Sequence, residues 1–258
     1  MATRSYGQRS GLARAVEAVG ERWALLIVRD LLAGPRRFTD LRASLPRIPT
    51  NILTTRLREL QDAGVARRVP VPRCGLVYEL TPRGRELEGV VLGLERWGAS
   101  DAVDEREGEG VSHESLAVLL EATFDPVAAA SSPDAVYRLG VREEASGGGA
   151  AAGDGSGSAT GVPAVALEAT VRAGGLSIVP TGERSLPAPL RPAVGGATAA
   201  DGVASSIQDM LAFETTDAGI HRLVAAELNA AEALADRVVR VVDGDTALLE
   251  RFAATFHV

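Results

Sequence analysis

The 258-residue sequence lacks several features on which enzymes and metalloproteins rely. Its one cysteine, Cys74, excludes an intrachain disulfide and a zinc site with several thiolates. The three histidines, His113, His221 and His257, lie far apart and show no metal-ligand spacing with Cys, Asp or Glu. No Gly-x-Ser-x-Gly motif is present, so the usual signature of nucleophilic hydrolysis is missing. We therefore expect no enzyme activity, no metal and no cofactor.

Long apolar runs are also missing. No segment is a continuous apolar stretch of bilayer-spanning length, and the first ten residues, MATRSYGQRS, are polar. These features predict a cytoplasmic protein with no membrane partner. The chain length is comfortable for two domains.

Lysine is absent altogether, and the 27 basic residues are all arginine. Residues 1–100 hold 17 arginines against 10 acidic residues, a net charge of +7, whereas the remainder holds 10 against 24, a net charge of −14. A basic module attracts polyanions through their phosphates. The acidic half would repel nucleic acid, and we expect it to bind another kind of ligand.

The segment PRIPTNILTTRLRELQDAG, residues 46–64, has the pattern of an amphipathic helix with two chemically different faces. Leu53, Leu57 and Leu60 form one stripe at helical spacing. The opposite arc carries Asn51, Thr54, Thr55, Arg58 and Asp62. Thr50 is predicted as the N-cap after Pro49, and Gly64 as the C′ residue. Asn, Thr and Arg hydrogen-bond base edges and phosphates, although the helix alone also fits a solvated amphipathic surface.

The neighbouring segments decide between these interpretations. Helical spacing predicts two core helices, from Leu12 to Val19 and from Trp23 to Leu32, before the break at Gly34-Pro35. A short helix over residues 36–45, with Thr39 as its N-cap, then precedes the helix at Thr50. This order predicts a helix-turn-helix.

Two strand-like runs follow, Ala66–Val71 and Leu76–Leu80, and their spacing predicts a hairpin that would form a wing beside the helix-turn-helix. Its arginines either contact the DNA backbone or line a solvated edge. Thr81-Pro82 then begins a helix that extends through Trp97. The apolar surplus of this helix predicts a dimer contact or a seat for the second domain.

The run RSGLARAVEAVGERWALLIVRDLLAGPRRFTDLRASLPRIPTNILTTRLRELQDAGVARR and the later YELTPRGREL resemble the HxlR branch of the MarR-type winged-helix transcription regulators. The resemblance extends over residues 6–99. It implies a homodimer on an inverted-repeat operator of double-stranded DNA, with dimerisation through the N-terminal and post-wing helices. The predicted DNA-contacting residues are Arg36, Arg37, Thr39, Thr50, Asn51, Thr54, Thr55, Arg58, Arg67, Arg68 and Arg73. Many members carry a sensor cysteine before the first helix, where this chain has Ser10.

Residues 100–112, SDAVDEREGEGVS, are acidic and polar and predict a linker between a domain at 1–99 and a domain at 113–258. In the second domain the patterns predict a helix over 115–124, then strands over 135–143, 164–173, 176–180 and 209–215, helices from Asp217 and over 230–235, a strand over 238–242 and a helix over 246–256. A hairpin turn is predicted at Gly174-Gly175. Residues 146–161 have the composition of a loop, and residues 186–200 resist assignment. The expected fold class is α+β, with an antiparallel or mixed sheet covered by helices.

The segment IHRLVAAELNAAEALADRVVRVVDGDTALLERFAATF is similar to the C-terminal end of sterol-carrier-protein-2-like domains, with the similarity confined to residues 209–256. The resemblance implies an apolar tunnel between a five-stranded sheet and its helices that accepts a hydrophobic small molecule. The candidate lining residues, which can equally fill a core, are Leu120, Phe124, Met210, Phe213, Leu223 and Phe252.

These patterns together predict a sequence-specific DNA-binding regulator that is controlled by a hydrophobic effector in its second domain. Two alternatives stay open. One is a carrier or scavenger of hydrophobic ligands whose winged helix serves only dimerisation. The other is a thiol-responsive regulator that uses Cys74, whose arginine neighbours would lower its pKa.

Overall fold

The structure, a computed structural model, describes residues 5–72, 75–99, 111–142, 163–181, 207 and 209–258. The predictions for Arg73, Cys74, the linker residues 100–110, and the segments 146–161 and 186–200 lie outside this part of the chain. The chain divides into two compact units, with the boundary between Leu94 and Glu95. Among the described residues, no helix combines the length and hydropathy that a bilayer crossing requires.

The described part of the first unit contains five helices, a two-stranded hairpin and the start of a sixth helix. Its elements are α1 (Gly11–Val19), α2 (Ala24–Leu32), α3 (Phe38–Ser44), α4 (Thr50–Asp62), β1 (Ala66–Val71), β2 (Gly75–Leu80), α5 (Pro82–Arg85) and α6 (Glu88–Ala99), of which α6 continues into the second unit. Helices α3 and α4 are the predicted helix-turn-helix, and β1 and β2 pair antiparallel as the predicted wing. The winged helix-turn-helix fold is confirmed.

The core of the first unit forms because three helices turn their aliphatic stripes toward one another. Its most deeply buried side chains are Ile27, Val28 and Leu31 of α2, Leu41 of α3, and Leu53, Leu57 and Leu60 of α4. The predicted leucine stripe of α4 is therefore its core face. The polar arc opposite this stripe faces outward.

Several predicted helix ends are wrong by one or two residues. Pro49, not Thr50, is the N-cap of α4, because its extended backbone precedes a Thr50 that is already helical. Arg37, not Thr39, caps α3, and its backbone N–H donates to an Asp40 Oδ2 at 3.0 Å. Trp23 is the N-cap of α2 with φ at 79°, and the helix begins one residue later. Gly64 is confirmed as a C′ residue, with φ at 69°.

The segment after the wing forms two helices instead of the single predicted helix. The Thr81 hydroxyl accepts from the Gly84 N–H at 3.1 Å and caps α5, as predicted. The chain then turns at Leu87, whose N–H donates to the Gly84 carbonyl at 3.2 Å, and α6 starts at Glu88. The wing also gains an unpredicted third partner, because Arg36 and Tyr78 exchange backbone hydrogen bonds of 2.9 and 2.7 Å.

The second unit is an α+β structure, as predicted. Its elements are α7 (His113–Thr123), α8 (Pro126–Ala130), β3 (Ala135–Arg142), β4 (Val165–Arg172), β5 (Gly175–Pro180), β6 (Asp209–Thr216), α9 (Asp217–Val224), α10 (Ala230–Ala235), β7 (Val239–Gly244) and α11 (Ala247–Thr255). The five described strands follow the order β5-β4-β3-β6-β7, with β3 and β6 parallel and the other pairs antiparallel. The sheet is therefore mixed.

Three local details of the second unit differ from the prediction. The turn between β4 and β5 falls on Ala173 and Gly174, with φ at 48° and 74°, because Arg172 pairs with Gly175. Two successive positive φ angles are the requirement of a type I′ turn. Thr216, not Asp217, caps α9 and accepts from the Gly219 N–H at 3.1 Å. Helix α8 was not predicted. Its N-cap is Asp125, whose carboxylate accepts hydrogen bonds from the first backbone N–H groups of the helix.

One buried carboxylate ties α2 to α3. Asp30 is fully buried, and its Oδ2 accepts from the Ser44 hydroxyl at 2.5 Å. Its Oδ1 accepts from Arg29 Nε at 3.0 Å and Nη2 at 2.9 Å. Both carboxylate oxygens are therefore satisfied by neighbours on two helices, which holds α3 against α2.

We expect Asp30→Ala to lower the free energy of unfolding of the first unit by about 3 kcal/mol, because the arginine loses its buried partner. The measurement is urea unfolding followed by Trp23 fluorescence in a Trp97→Phe background. Asp62→Ala, which removes an exposed carboxylate from α4, is the matched control and should shift the midpoint little. An Asp30→Ala midpoint equal to that of the control would contradict this account of the helix contact.

Candidate nucleic-acid interface

The exposed face of α4 carries five of the predicted DNA-contacting residues. They are Thr50, Asn51, Thr54, Thr55 and Arg58, and each is solvent-exposed. Because the leucine stripe holds the other side of the helix in the core, these five side chains share one outward arc. The structure therefore brings the central set of predicted residues together.

The two threonine hydroxyls on this arc are held by the helix itself. Thr54 Oγ1 donates to the Thr50 carbonyl and Thr55 Oγ1 donates to the Asn51 carbonyl, each at 2.9 Å. A hydroxyl has one donor and two acceptor lone pairs, so each of these still accepts hydrogen bonds. In the major groove the available donors are the amino groups of cytosine and adenine. The threonines thus present oriented acceptors.

Within the described part of the chain, the side chains of Asn51 and Arg58 form no hydrogen bond and no ion pair. An asparagine amide matches the N6 and N7 edge of adenine, and a guanidinium matches the O6 and N7 edge of guanine. The arc therefore combines donors, acceptors and a positive charge in a set that can distinguish base pairs.

Arg56 holds the flank of α4 against the connection between α1 and α2. Its side chain is 14% exposed, and Nη2 lies 3.0 Å from Glu21 Oε2. Nη1 pairs with Glu59 one turn further along the helix. Sequence reasoning did not single out Arg56, because its main partner lies 35 residues away. Its role is to fix the helix, and it lies away from the exposed arc.

The residues before and within α3 are less open than α4. Arg36 and Arg37 are half-buried, and Arg36 is held by its backbone bridge to Tyr78. Thr39 is exposed, and its hydroxyl lies 3.4 Å from Asp40 Oδ1. These side chains lie at the start of α3, where a helix-turn-helix approaches the DNA backbone.

The two described wing arginines differ in their availability to phosphates. Arg67 is exposed but pairs with Glu79, with Nη2 2.6 Å from Oε1. Arg68 is exposed and lies with its guanidinium 5.9 Å from the centre of the Tyr78 ring, which leaves its charge uncompensated by that contact. The Arg68 guanidinium therefore has no carboxylate partner in the described part of the chain, whereas that of Arg67 already pairs with Glu79.

In the second unit, the six predicted ligand-lining residues do not form one group. Leu120, Phe213, Leu223 and Phe252 are buried in a single core, and Phe124 is half-buried beside it. Met210 lies on the opposite face of the sheet, because strand residues alternate and Phe213 is three residues away.

An aromatic cluster occupies the centre of that core. The Phe252 ring lies 5.1 Å from Phe213, 5.2 Å from Tyr137 and 4.6 Å from Phe256, measured between ring centres. Phe124 joins the cluster through Phe256 at 5.7 Å. The sequence analysis named three of these five rings and missed Tyr137 and Phe256.

A polar group borders this cluster. The Tyr137 hydroxyl accepts from Arg251 Nε at 3.3 Å, and Arg251 Nη1 lies 2.8 Å from Asp209 Oδ2. Burial raises the pKa of Tyr137, so the hydroxyl stays neutral and keeps its hydrogen as a hydrogen-bond donor. Within the described ranges, no three His, Cys, Asp or Glu side chains come together as metal ligands.

Comparisons with known proteins cover the first unit. The HxlR-like helix-turn-helix family matches residues 18–106. The HTH-type transcriptional regulator YvaP of Bacillus subtilis (strain 168) is 34% identical over 93 residues, which cover 35% of this chain and 85% of that protein. The HTH-type transcriptional regulator Mb3122 of Mycobacterium bovis is 44% identical over 87 residues, which cover 33% of this chain but only 54% of that protein.

Among solved structures, quinone-bound YodB from B. subtilis is 30% identical, with a TM-score of 0.31, and the alignment covers 35% of this chain and 97% of that one. The family match ends at residue 106 and so concerns the helix-turn-helix, the wing and α6. By its match to YvaP over most of that protein's length, and by the helix-turn-helix that the structure contains, the chain belongs to the HxlR-like helix-turn-helix family.

Proposed function

We propose that this protein is a transcription regulator that binds operator DNA as a homodimer and responds to a hydrophobic small molecule. The observation that carries the DNA-binding part is the exposed arc of α4, where Asn51, Arg58 and the two oriented threonines lie opposite a leucine stripe. The relatives described above are named as HTH-type transcriptional regulators, which supports the same function here.

In this proposal α4 enters the major groove and the wing lies beside it. Arg58 donates to a guanine edge and Asn51 pairs with an adenine, while Thr54 and Thr55 accept from base amino groups. Arg68 and Arg36 contact phosphates, which position the protein without reading sequence. The excess of arginine in residues 1–100 supplies the long-range attraction.

The homodimer is supported by apolar side chains that the first unit leaves in solvent. Leu12 on α1 is 76% exposed, and Val90 and Leu94 on α6 are 51% and 45% exposed. Contiguous exposed apolar side chains mark protein contacts, and α1 and α6 both supply exposed aliphatic residues. A two-fold dimer through α1 and α6 would present two α4 helices to half-sites about one helical turn apart.

The effector is proposed to bind in the second unit. This unit carries the acidic part of the chain, which is unsuited to DNA, and its mixed five-stranded sheet with helices agrees with the sterol-carrier-protein-2-like resemblance. A hydrophobic ligand would enter the apolar core by displacing side chains near Leu223 and Phe252. It alters DNA binding only if it favours one dimer state, and a hundredfold preference corresponds to about 2.7 kcal/mol.

We expect Arg58→Ala to weaken binding to the protein's own upstream DNA by about 1–3 kcal/mol, because a bidentate contact to a guanine is lost. Fluorescence anisotropy with a labelled duplex at fixed salt measures this loss. Arg172→Ala removes an exposed arginine from β4 of the second unit and should leave the affinity nearly unchanged. Equal affinities for Arg58→Ala and the parent would refute the assignment of α4 as the reading helix.

Val90→Glu is expected to dissociate the dimer, since it introduces a charge into a desolvated contact. Sedimentation velocity over a concentration series should show a monomer where the parent is dimeric. Val127→Glu, at a valine that is 73% exposed on α8, is the control and should leave the mass unchanged. A parent chain that is monomeric at all concentrations would contradict the proposed assembly.

The effector proposal predicts that the full chain retains palmitate in native mass spectrometry and gains thermal stability with it. Glucose at the same concentration serves as the polar control. The absence of both an adduct and a stability gain would remove the effector role for this ligand class. Retention of palmitate with unchanged DNA affinity would favour the carrier alternative, because binding would then be uncoupled from the operator.

A further inference from the structure

A pocket of about 310 Å³ opens among helices α9, α10 and α11 of the second unit. Its lining consists of Leu223, Leu228, four alanines, Asn229 and Glu250, and we call it the Glu250 pocket. The volume lies at the lower end of the range of about 300–1,000 Å³ that small-molecule sites occupy. The pocket therefore suits a small molecule better than a long-chain lipid.

The inner wall of the pocket is apolar. Leu223 and Leu228 are 1% and 6% exposed and belong to the core of the second unit. The four alanines have no side-chain atoms beyond Cβ, so they leave space that larger side chains would fill. The apolar part of a ligand would thus rest on the outer side of the core.

Backbone hydrogen bonds hold the turn that forms one side of the pocket. The N–H groups of Glu227 and Leu228 both donate to the Arg222 carbonyl, at 3.0 and 3.3 Å. Asn229 Oδ1 then accepts from the Glu232 N–H at 2.9 Å, and Glu232 Oε2 accepts from the Asn229 N–H at 3.0 Å. This side of the pocket is therefore formed before a ligand arrives, which lowers the ordering cost of binding.

The pocket carries a negative charge that no side chain compensates. Among the described residues that line it, Glu250 is the only charged one. Its side chain is exposed on α11 and forms no hydrogen bond and no ion pair within the described part of the chain. Asn229 Oδ1 accepts a single N–H and keeps a second lone pair. Both residues can therefore accept hydrogen bonds from a cation.

This combination of an apolar wall and a free carboxylate discriminates between ligand classes. A carboxylic acid would meet Glu250 with like charge, and the described lining contains no Lys, Arg or His to offset the repulsion. A ligand without a polar group would desolvate Glu250 without replacing its hydrogen bonds to water. An alkyl amine satisfies both surfaces, and it is protonated at neutral pH because its pKa, like that of lysine, is about 10.

We infer that the Glu250 pocket binds a small hydrophobic amine in its protonated form. The apolar part of the amine lies against Leu223 and Leu228, and the ammonium donates charge-assisted hydrogen bonds to the Glu250 carboxylate and to Asn229 Oδ1. This site goes beyond the proposed function, since it lies outside the aromatic cluster and its ligand carries the opposite charge to palmitate.

The test is isothermal titration calorimetry of the full chain with octylamine at neutral pH. Octanol and octanoate, which have the same chain length, are titrated in parallel. We expect saturable binding of one octylamine per chain, with octanol about fivefold weaker because it lacks the ion pair. Octanoate should bind more weakly than octanol. Equal affinities for the amine and the alcohol would overturn the proposal.

Three variants locate the site. Glu250→Gln should lower the affinity for octylamine to that of octanol and leave octanol binding unchanged, because only the charge is removed. Asp236→Asn, at an exposed carboxylate that follows α10 outside the pocket, should leave both affinities unchanged. Ala253→Leu fills the pocket and should abolish binding of both ligands, with circular dichroism to verify the fold. Undiminished octylamine binding in Glu250→Gln or in a folded Ala253→Leu would overturn the site.

The palmitate experiment fails or succeeds independently of this one. Octylamine binding that depends on Glu250, in a chain that does not retain palmitate, supports the pocket and removes only the proposed role of a palmitate-like effector. Retention of palmitate without binding of octylamine would contradict the amine site and leave the proposed function in place.

Discussion

The burial of three leucines on one side of α4 is the constraint on which the DNA-binding surface depends. Leu53, Leu57 and Leu60 are almost completely inaccessible to solvent, and burying each is worth about 1.5–3 kcal/mol. A rotation of the helix by one residue would expose part of this stripe and drive threonine or arginine toward the core. The leucines thus set which side chains face outward, and the Arg56 pair with Glu21 restrains the remaining freedom of the helix.

The two units differ in charge and in the kind of surface that they present. The first unit combines a helix-turn-helix, a wing and an excess of arginine, and its polar residues are concentrated on surfaces that suit DNA. The second unit carries the acidic excess and buries its aromatic rings in one cluster around Phe252. Such a division suits a protein in which one part binds DNA and the other part responds to a different molecule, as proposed.

Periodicity predicted most of the fold, because leucine spacing in α4 and alternation in β3 and β4 report directly which face is buried. Helix ends were less predictable. Threonine is a common N-cap, yet Pro49 and Arg37 take that position here through their extended backbones. The inclusion of Met210 with Phe213 in one ligand-lining set was wrong. Counting alternate residues along β6 would have placed the two side chains on opposite faces of the sheet.

Other features depend on contacts between distant residues and have no local signal. The Arg56 pair with Glu21 spans 35 residues, and the bond from Arg251 to the Tyr137 hydroxyl spans 114. The bridge between Arg36 and Tyr78 likewise joins the start of α3 to the wing. Tertiary packing creates these contacts, so they follow from the fold and not from the pattern of any single segment.

The most direct test of the central claim is a footprint of the full chain on the DNA upstream of its own gene, taken at two salt concentrations. The account predicts two protected half-sites about one helical turn apart, with protection that weakens as salt rises. Uniform or absent protection, or protection insensitive to salt, would contradict the assignment of α4 and the wing as a sequence-reading surface.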